Sequence, residues 1–319
     1  MIPPVANSKS IKNPAIKAGL AHLKQLLKQD WAPLFESKGV VATKTQAAGT
    51  KDGIPVTKGE VMVPAELFPF AIFNLCLQSD SRVLFDDRTE SAKHVETDPK
   101  EGVSLVYAVQ KGVWPVSARE LVIVNSPLMY DDELKCFLVV QKSVKDDRFP
   151  VNSNGRVTAE LHVNALMLSQ TSAGWKATYI VHADPMGTIP AALASVVTNA
   201  NPMIPRRMID FLLKTGCPPG LHGVIPVAVD QNSAKTKILQ VAYAPSKTMS
   251  GEFVAPIVVD KKYYPTGAMV KVSDGVKVVR SKIGIKISFD TKALKEISVR
   301  IAPLDGGKPG DIVLNGTAI

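Results

Sequence analysis

Gly112-Val-Trp-Pro-Val-Ser-Ala-Arg-Glu-Leu-Val-Ile-Val124 is the stretch on which the fold turns. A Trp-Pro pair leads straight into an apolar, β-branched run. That order predicts a tight loop holding a bulky aromatic at the mouth of a sheet. A second segment, His182-Ala-Asp-Pro-Met-Gly-Thr-Ile-Pro190, predicts the end of a strand and the start of a long apolar helix.

Between and around these two segments the pattern is one of strands closed by helices. Ile16, Leu20, Leu23 and Leu27 recur at helical spacing and predict an amphipathic N-terminal helix, closed by Pro33 and the Gly39 region. Strands are expected over 40–46 and 54–63, with Thr50-Lys-Asp-Gly53 as the turn between them. Pro64 then suits a helix start, and 65–78 reads as helical. Strands follow near 89–96, 103–111, 120–124, 136–144, 156–170 and 174–182. From 156 to 164 the alternation places Arg156, Thr158, Glu160, His162 and Asn164 on one face and Val157, Leu161 and Val163 on the other, as in an antiparallel sheet. The last helical region, 189–214, is interrupted by Asn201-Pro202 and Pro205, where a kink or break is expected.

Cys217-Pro-Pro-Gly220 marks a boundary, dividing the chain into 1–216 and 217–319. In the second part Ile283, Ile285, Ile287 and Phe289 alternate with polar residues, as do Ile297, Val299 and Ile301. Asp274-Gly275 predicts a hairpin between flanking strands over 270–279. Short strands with turn signals point to a small all-β, sandwich-like domain.

Bulk properties narrow the function. The 319 residues are 45% hydrophobic, enough for a sizeable core. No apolar run is long enough to span a bilayer, and the N-terminus lacks the apolar core of a signal peptide. Three separated cysteines, Cys76, Cys136 and Cys217, suit a reducing compartment, so a cytoplasmic protein is expected. The net charge of +9 is uneven, +6 from Cys217 onward and +3 before it. Such an excess suits anionic surfaces, or simply a solvated basic face. Aromatics make up 6% and do not interleave with the lysines, which argues against nucleic acid as a partner. No nucleophile elbow, zinc motif or phosphate loop occurs, and Gly306-Gly-Lys308 runs into Pro309. His162 and His182 fall on neighbouring expected strands; acid–base or metal chemistry there would need a third partner.

Five short motifs stand in order: Arg82-Val-Leu-Phe-Asp86, Trp114-Pro-Val-Ser-Ala-Arg119, Val139-Val-Gln-Lys-Ser-Val144, Gly155-Arg-Val-Thr-Ala-Glu160 and Ala183-Asp-Pro-Met-Gly187. Together they resemble the START domain, the lipid-transfer fold named after the steroidogenic acute regulatory protein, with Phe85 standing where the family usually has Trp. The resemblance covers about 12–215. It implies an α+β helix-grip fold, a curved antiparallel sheet around a long C-terminal helix, with a tunnel enclosing one lipid and no catalysis. It places Arg82, Asp86, Val106, Ala108, Ile123 and Asn125 in the pocket. The lid would be Trp114, Pro115, Met186, Ile189, Met203 and Met208.

Sterol-binding members carry a paired carboxylate and arginine at the positions of Val106 and Asn125, and neither charge is present here. Phosphatidylcholine carriers use the positions of Arg82 and Asp86, both kept, but the positions of their aromatic choline cage fall on Cys76 and Ala108. Phospholipid, fatty acid and sterol all stay open as ligands. The resemblance implies no cofactor. A monomer that touches anionic membranes transiently is expected. A cyclase-type enzyme in the same cavity, and a membrane-docked lipid sensor using the basic second part, are the alternatives.

Overall fold

Asn13 and Pro14 set the first helix. The Asn13 side-chain oxygen accepts from the N–H groups of Ala15 and Ile16 at 3.0 and 3.1 Å, and Pro14 supplies a pre-set first residue. In the computed structural model, which describes residues 6–47, 54–98, 100–220, 225–233, 236–244, 252–282, 284–290, 294 and 296–319, this helix α1 runs Pro14–Leu27 and buries Ile16, Leu23 and Leu26. The turn expected over 50–53 lies outside the described residues.

Strand β1 (Ala6–Asn7) precedes α1, and β2 (Ala32–Ser37), β3 (Val40–Thr45) and β4 (Val56–Met62) follow it. Helices α2 (Ala71–Leu77) and α3 (Arg82–Phe85) then lead into β5 (Thr89–Thr97), β6 (Ser104–Gln110), β7 (Arg119–Asn125), β8 (Met129–Asp131) and β9 (Cys136–Ser143). The sheet closes with β10 (Val157–Thr158), β11 (Glu160–Thr171) and β12 (Gly174–Asp184). Its main path is β2-β3-β4-β12-β11-β9-β7-β6-β5, antiparallel throughout. Helix α4 (Ala191–Ala200), a 3-10 turn at Asn201–Met203 and α5 (Ile204–Thr215) complete this part. The break falls at the predicted Asn-Pro, and Pro205 sits in the first turn of α5, where a missing N–H costs nothing.

The two faces of the sheet carry separate cores. Helix α1 covers one, packing Ile16, Leu23 and Leu26 against Val140, Val163 and Ile180. Helices α2 and α5 cover the other, with Phe73, Met208 and Leu212 against Val139, Leu166 and Tyr179. The second face is the helix-grip. It is tied down where Gly59 of β4 meets the 3-10 turn: a Cβ on Gly59 would lie 2.0 Å from the Pro202 carbonyl oxygen. Gly59→Ala should therefore push the α4–α5 turn off the sheet and destabilise the protein by about 1–3 kcal/mol, as overpacking does. Thermal melting would show the loss; an unchanged Tm would mean the turn shifts freely.

Four expectations are corrected here. Residues 65–70 form turns, and helix begins only at Ala71, because Pro69 disfavours helical backbone at Phe68. Residues 32–37 form a strand despite Pro33; β2 is the edge of the sheet, and the register shifts between Pro33 and Phe35. The alternation over 156–164 is broken by a bulge between Leu161 and Val163, so these two face opposite cores. The fourth concerns the hairpin in the second part.

That part contains a sheet of β13 (Ile225–Ser233), β14 (Ile238–Ala244), β16 (Ala268–Val272), β19 (Ile297–Pro303), β20 (Ile312–Leu314) and β21 (Thr317–Ala318). A second sheet holds β15 (Glu252–Val258), β17 (Lys277–Ser281) and β18 (Gly284–Asp290). Ile285, Ile287, Phe289, Ile297, Val299 and Ile301 fill the space between them, as their alternation predicts; Ile283 lies outside the described residues. Asp274-Gly275 makes a turn, but no hairpin: β16 already has β19 and β20 on its two edges, so the chain crosses to the other sheet. The 217–220 segment is held against the first part. Asn74 donates to the Pro218 carbonyl at 3.0 Å and Gln78 to that of Pro219 at 2.8 Å.

Candidate functional site

Inward-facing residues of β6, β7, β9, β11 and β12 line one side of a space between the sheet and the helices. Ala92 on β5, Ala108 on β6 and Ala183 on β12 leave space between the sheet, α3 and α4. The result is a hollow of about 150 Å³. A buried water needs roughly 10–15 Å³ on this measure, so the hollow has room for far more than a single water. Its apolar wall includes Val106, Leu121, Ile123, Leu161 and Val181. Arg82, Val106, Ala108, Ile123 and Asn125, all placed in the pocket by the sequence, line it.

Asp86 stands behind the wall. Its side chain is fully buried and receives Arg82 Nη2 at 2.8 Å, Arg88 Nε at 3.0 Å and Arg207 Nη1 at 3.4 Å. Burial alone would raise its pKa; the Arg82 and Arg88 guanidiniums outweigh burial and hold it at about 2. One carboxylate thus joins α3, the turn before β5 and α5. Arg88 extends the tie to the Asn201 side chain at 2.9 Å. Arg82 also donates from Nη1 to the Tyr179 hydroxyl at 3.1 Å. Cys76, on the same wall, is pushed up to about 12 by burial, so it stays a neutral thiol.

Arg119 bounds the other end of the hollow. It donates from Nε to the Pro185 carbonyl and from Nη2 to that of Met186, both at 3.1 Å, and from Nη1 to that of Ser117. One guanidinium therefore pins the loop after β12 to the loop before β7. The latter loop is a tight turn closed by reciprocal backbone bonds between Val113 and Val116. Trp114 and Pro115 form its tip, and Trp114 is 92% exposed. Val113, Met186 and Val151 are exposed nearby in sequence or through the strand pairing of 157 with 119. Of the other residues assigned to the lid, Ile189 and Met203 are half-buried, and Met208 is fully buried in the inner core.

Several residues on the wall escaped the sequence reading. Asn164, Gln141 and Tyr179 all line the hollow. The available signal was a polar side chain at an inward position of an otherwise apolar strand, as in Val139-Val-Gln-Lys142. The bulge at 161–163 hid it for Asn164.

His162 and His182 do face each other, with ring centroids 4.4 Å apart. A third histidine joins them: His22 Nε2 lies 2.7 Å from His182 Nδ1. This cluster sits under α1, on the face of the sheet away from the hollow. Burial, then the neighbouring His162, His22 and Lys142 charges, lowers His182 to about 4, so it is neutral at pH 7. Among the described residues no group of His, Cys, Asp and Glu is arranged to hold a metal ion, and no helix is long and apolar enough to cross a membrane.

The comparisons agree with this geometry. The family model for the START domain matches residues 41–214. Human StAR-related lipid transfer protein 5 superimposes with a TM-score of 0.51 at 13% identity, over 63% of this chain and 97% of its own. Human STARD10 gives 0.50 at 15% identity, over 61% of this chain and 78% of its own. At such identities the likeness is one of fold. No curated protein matches the chain closely enough to count as a relative. The match of the family model over more than half of the sequence, on a helix-grip sheet with a hollow beneath its C-terminal helix, establishes that the chain belongs to the START domain family.

Proposed function

We propose that this protein binds one lipid in the hollow between the sheet, α3 and α4 and carries it between membranes. The observation that supports this reading is the mixed wall: a mainly aliphatic interior with Val106, Ile123 and Val181, bounded at one end by Arg119, which also bonds the Ser117 carbonyl in the loop bearing Trp114. A hydrocarbon chain gains about 0.8 kcal/mol per methylene on leaving water for such an interior. A movable cover is then needed for exchange. Trp114, Pro115 and Met186 supply it, with the segment from Ile189 through α4 as the part that swings and Met203 and Met208 on the side that stays packed.

The exposed Trp114 touches little of the fold, so its role is at the membrane. An indole suits the headgroup level, where one side is apolar and the other wet. Anionic membranes are the partner surface, and the basic excess of 217–319 favours them. Binding rather than catalysis fits a wall whose Arg82 is ion-paired with Asp86, whose Arg119 is spent on three carbonyls and whose Cys76 thiol is kept neutral. The protein acts as a monomer in the cytoplasm, peripheral to membranes.

Native mass spectrometry of the purified chain tests the first half: a co-purifying lipid in one-to-one ratio is expected, and a chain free of lipid after incubation with vesicles would defeat the reading. Vesicle-to-vesicle transfer tests the second. Trp114→Ser should leave Tm within about a degree or two, since exposed positions rarely matter to stability. Transfer should slow about ten-fold, the equivalent of losing part of a buried indole surface. An unaltered rate would remove Trp114 from the gate.

A further inference from the structure

Two cations line the hollow, Arg82 and Arg119, and both are already engaged. Arg82 gives Nε and Nη2 to Asp86 and Nη1 to Tyr179. Arg119 gives its three nitrogens to the carbonyls of Pro185, Ser117 and Met186. Arg82 is thus ion-paired with Asp86, and Arg119 sits at the opposite end of β7 from Asn125, about 20 Å away along the strand.

What the wall does leave open is of the opposite kind. Asn125 of β7 lies opposite Gln141 of β9, and Gln141 lies opposite Asn164 of β11. The three amides therefore form one row across three adjacent strands, and all three line the hollow. Asn125 is 2% exposed. Its Nδ2 donates to the Cys76 carbonyl at 3.2 Å, which fixes the orientation of the amide, because a carbonyl can only accept. Its Oδ1 is buried and has no hydrogen-bond partner among the described residues. Asn164 donates from Nδ2 to Gln141 Oε1 and to the Tyr179 hydroxyl, both at 2.8 Å, and its Oδ1 is likewise buried and unpaired. Buried acceptors are normally satisfied, and an unsatisfied one that borders a cavity favours a ligand that donates to it.

We propose that the row Asn125–Gln141–Asn164 is the headgroup subsite, and that it takes an uncharged lipid end bearing a hydroxyl, in preference to phosphate or carboxylate. This rests on the carrier reading above. A hydroxyl gives its proton to an amide oxygen and still accepts. Ionised carboxylate and phosphate oxygens only accept, so they would set lone pairs against Asn125 Oδ1, with Arg82 already ion-paired to Asp86 and Arg119 at the far end of β7. The aliphatic wall of Val106, Leu121, Ile123 and Val181 then receives the chain.

Matched lipids test this. The full-length protein is incubated with phosphatidylcholine vesicles containing equal amounts of oleyl alcohol and oleate, and separately of dioleoylglycerol and dioleoylphosphatidate. It is then re-isolated, and the bound lipid is identified by native mass spectrometry. The hydroxyl member of a pair should be taken about ten-fold over its anionic partner, which corresponds to 1.4 kcal/mol. Asn125→Leu should bring the ratio towards one while acyl lipids still bind. Asn164→Leu gives the same reading should the first variant not fold. An anionic lipid taken equally or better by the wild type, or a preference kept in the folded variants, would overturn the proposal and leave the carrier reading standing. Uptake of none of the doped lipids nor of phosphatidylcholine would instead bring down the carrier reading, and the subsite with it.

Discussion

Asp86→Asn should cost the protein about 3 kcal/mol of stability, at the lower end of the 3–5 kcal/mol typical when one partner of a buried ion pair is removed. The substitution keeps the shape and takes away the charge on which three guanidiniums converge. Arg82, Arg88 and Arg207 stay a quarter to a third exposed, so solvent screens part of their repulsion; this sets the lower figure. Against a total of about 5–15 kcal/mol for a folded protein, the loss is large. Chemical denaturation would measure it. A change below about 1 kcal/mol would mean that the arginines simply turn to water, and that Asp86 does not hold α3, β5 and α5 together.

The same residue shapes the acid limb. With a folded pKa of about 2, below the model-peptide value of 3.8, Asp86 stabilises the fold fully above pH 3.8. That contribution, about 2 kcal/mol, is lost as pH falls from 3.8 towards 2. His182 acts earlier. Its folded pKa of about 4 lies below 6.5, so the unfolded chain takes up the proton first, and stability declines as pH falls from 6.5 towards 4. The wild type should therefore lose stability in two stages. Asp86→Asn should keep the first and show a smaller second, since Asp131 and Asp146 are also held below the ordinary carboxylate range by their hydrogen-bond and ion-pair partners.

Ala108→Trp should abolish lipid binding with little harm to the sheet. Ala108 faces the hollow from β6, between Ala92 and Leu121, its partners on the neighbouring strands. An indole in a space of about 150 Å³ excludes most of a ligand. Displacing three or four methylenes costs about 2.5–3 kcal/mol, or roughly 100-fold in affinity. Because the new side chain fills existing space, the fold should be spared the 1–3 kcal/mol usual for overpacking (roughly). Binding of oleyl alcohol or dioleoylglycerol, compared with wild type, reads the effect. Undiminished binding would place the ligand elsewhere.

Much of this architecture is written in local pattern. The periodicity of Ile16, Leu23 and their neighbours, the Trp-Pro turn before β7, the break at Asn201-Pro202 and the alternation of Ile285, Ile287 and Phe289 each depend on a few adjacent residues. Helix and strand periods are properties of one segment, so a segment suffices to read them. The first part of the site was legible for the same reason: Ala108, Ile123 and Asn125 stand in strands whose register can be counted from Arg119.

Other features depend on what lies across space. Pro33 argues against a strand until its place at the edge of the sheet is known. Asp274-Gly275 is a good hairpin turn, but both edges of β16 are taken by strands distant in sequence. Asn164 falls on the hollow side because a bulge shifts the register between β11 and β12, turning every later side chain to the opposite face. His22 meets His182 across 160 residues. The sequence by itself determined most of the elements, through period and order, and its motifs gave the family, whose resemblance implied a chamber between sheet and helix. Only the tertiary structure decided which polar atoms in that chamber are spent and which are free, because hydrogen-bond satisfaction belongs to pairs of residues brought together by folding, and no single segment carries it.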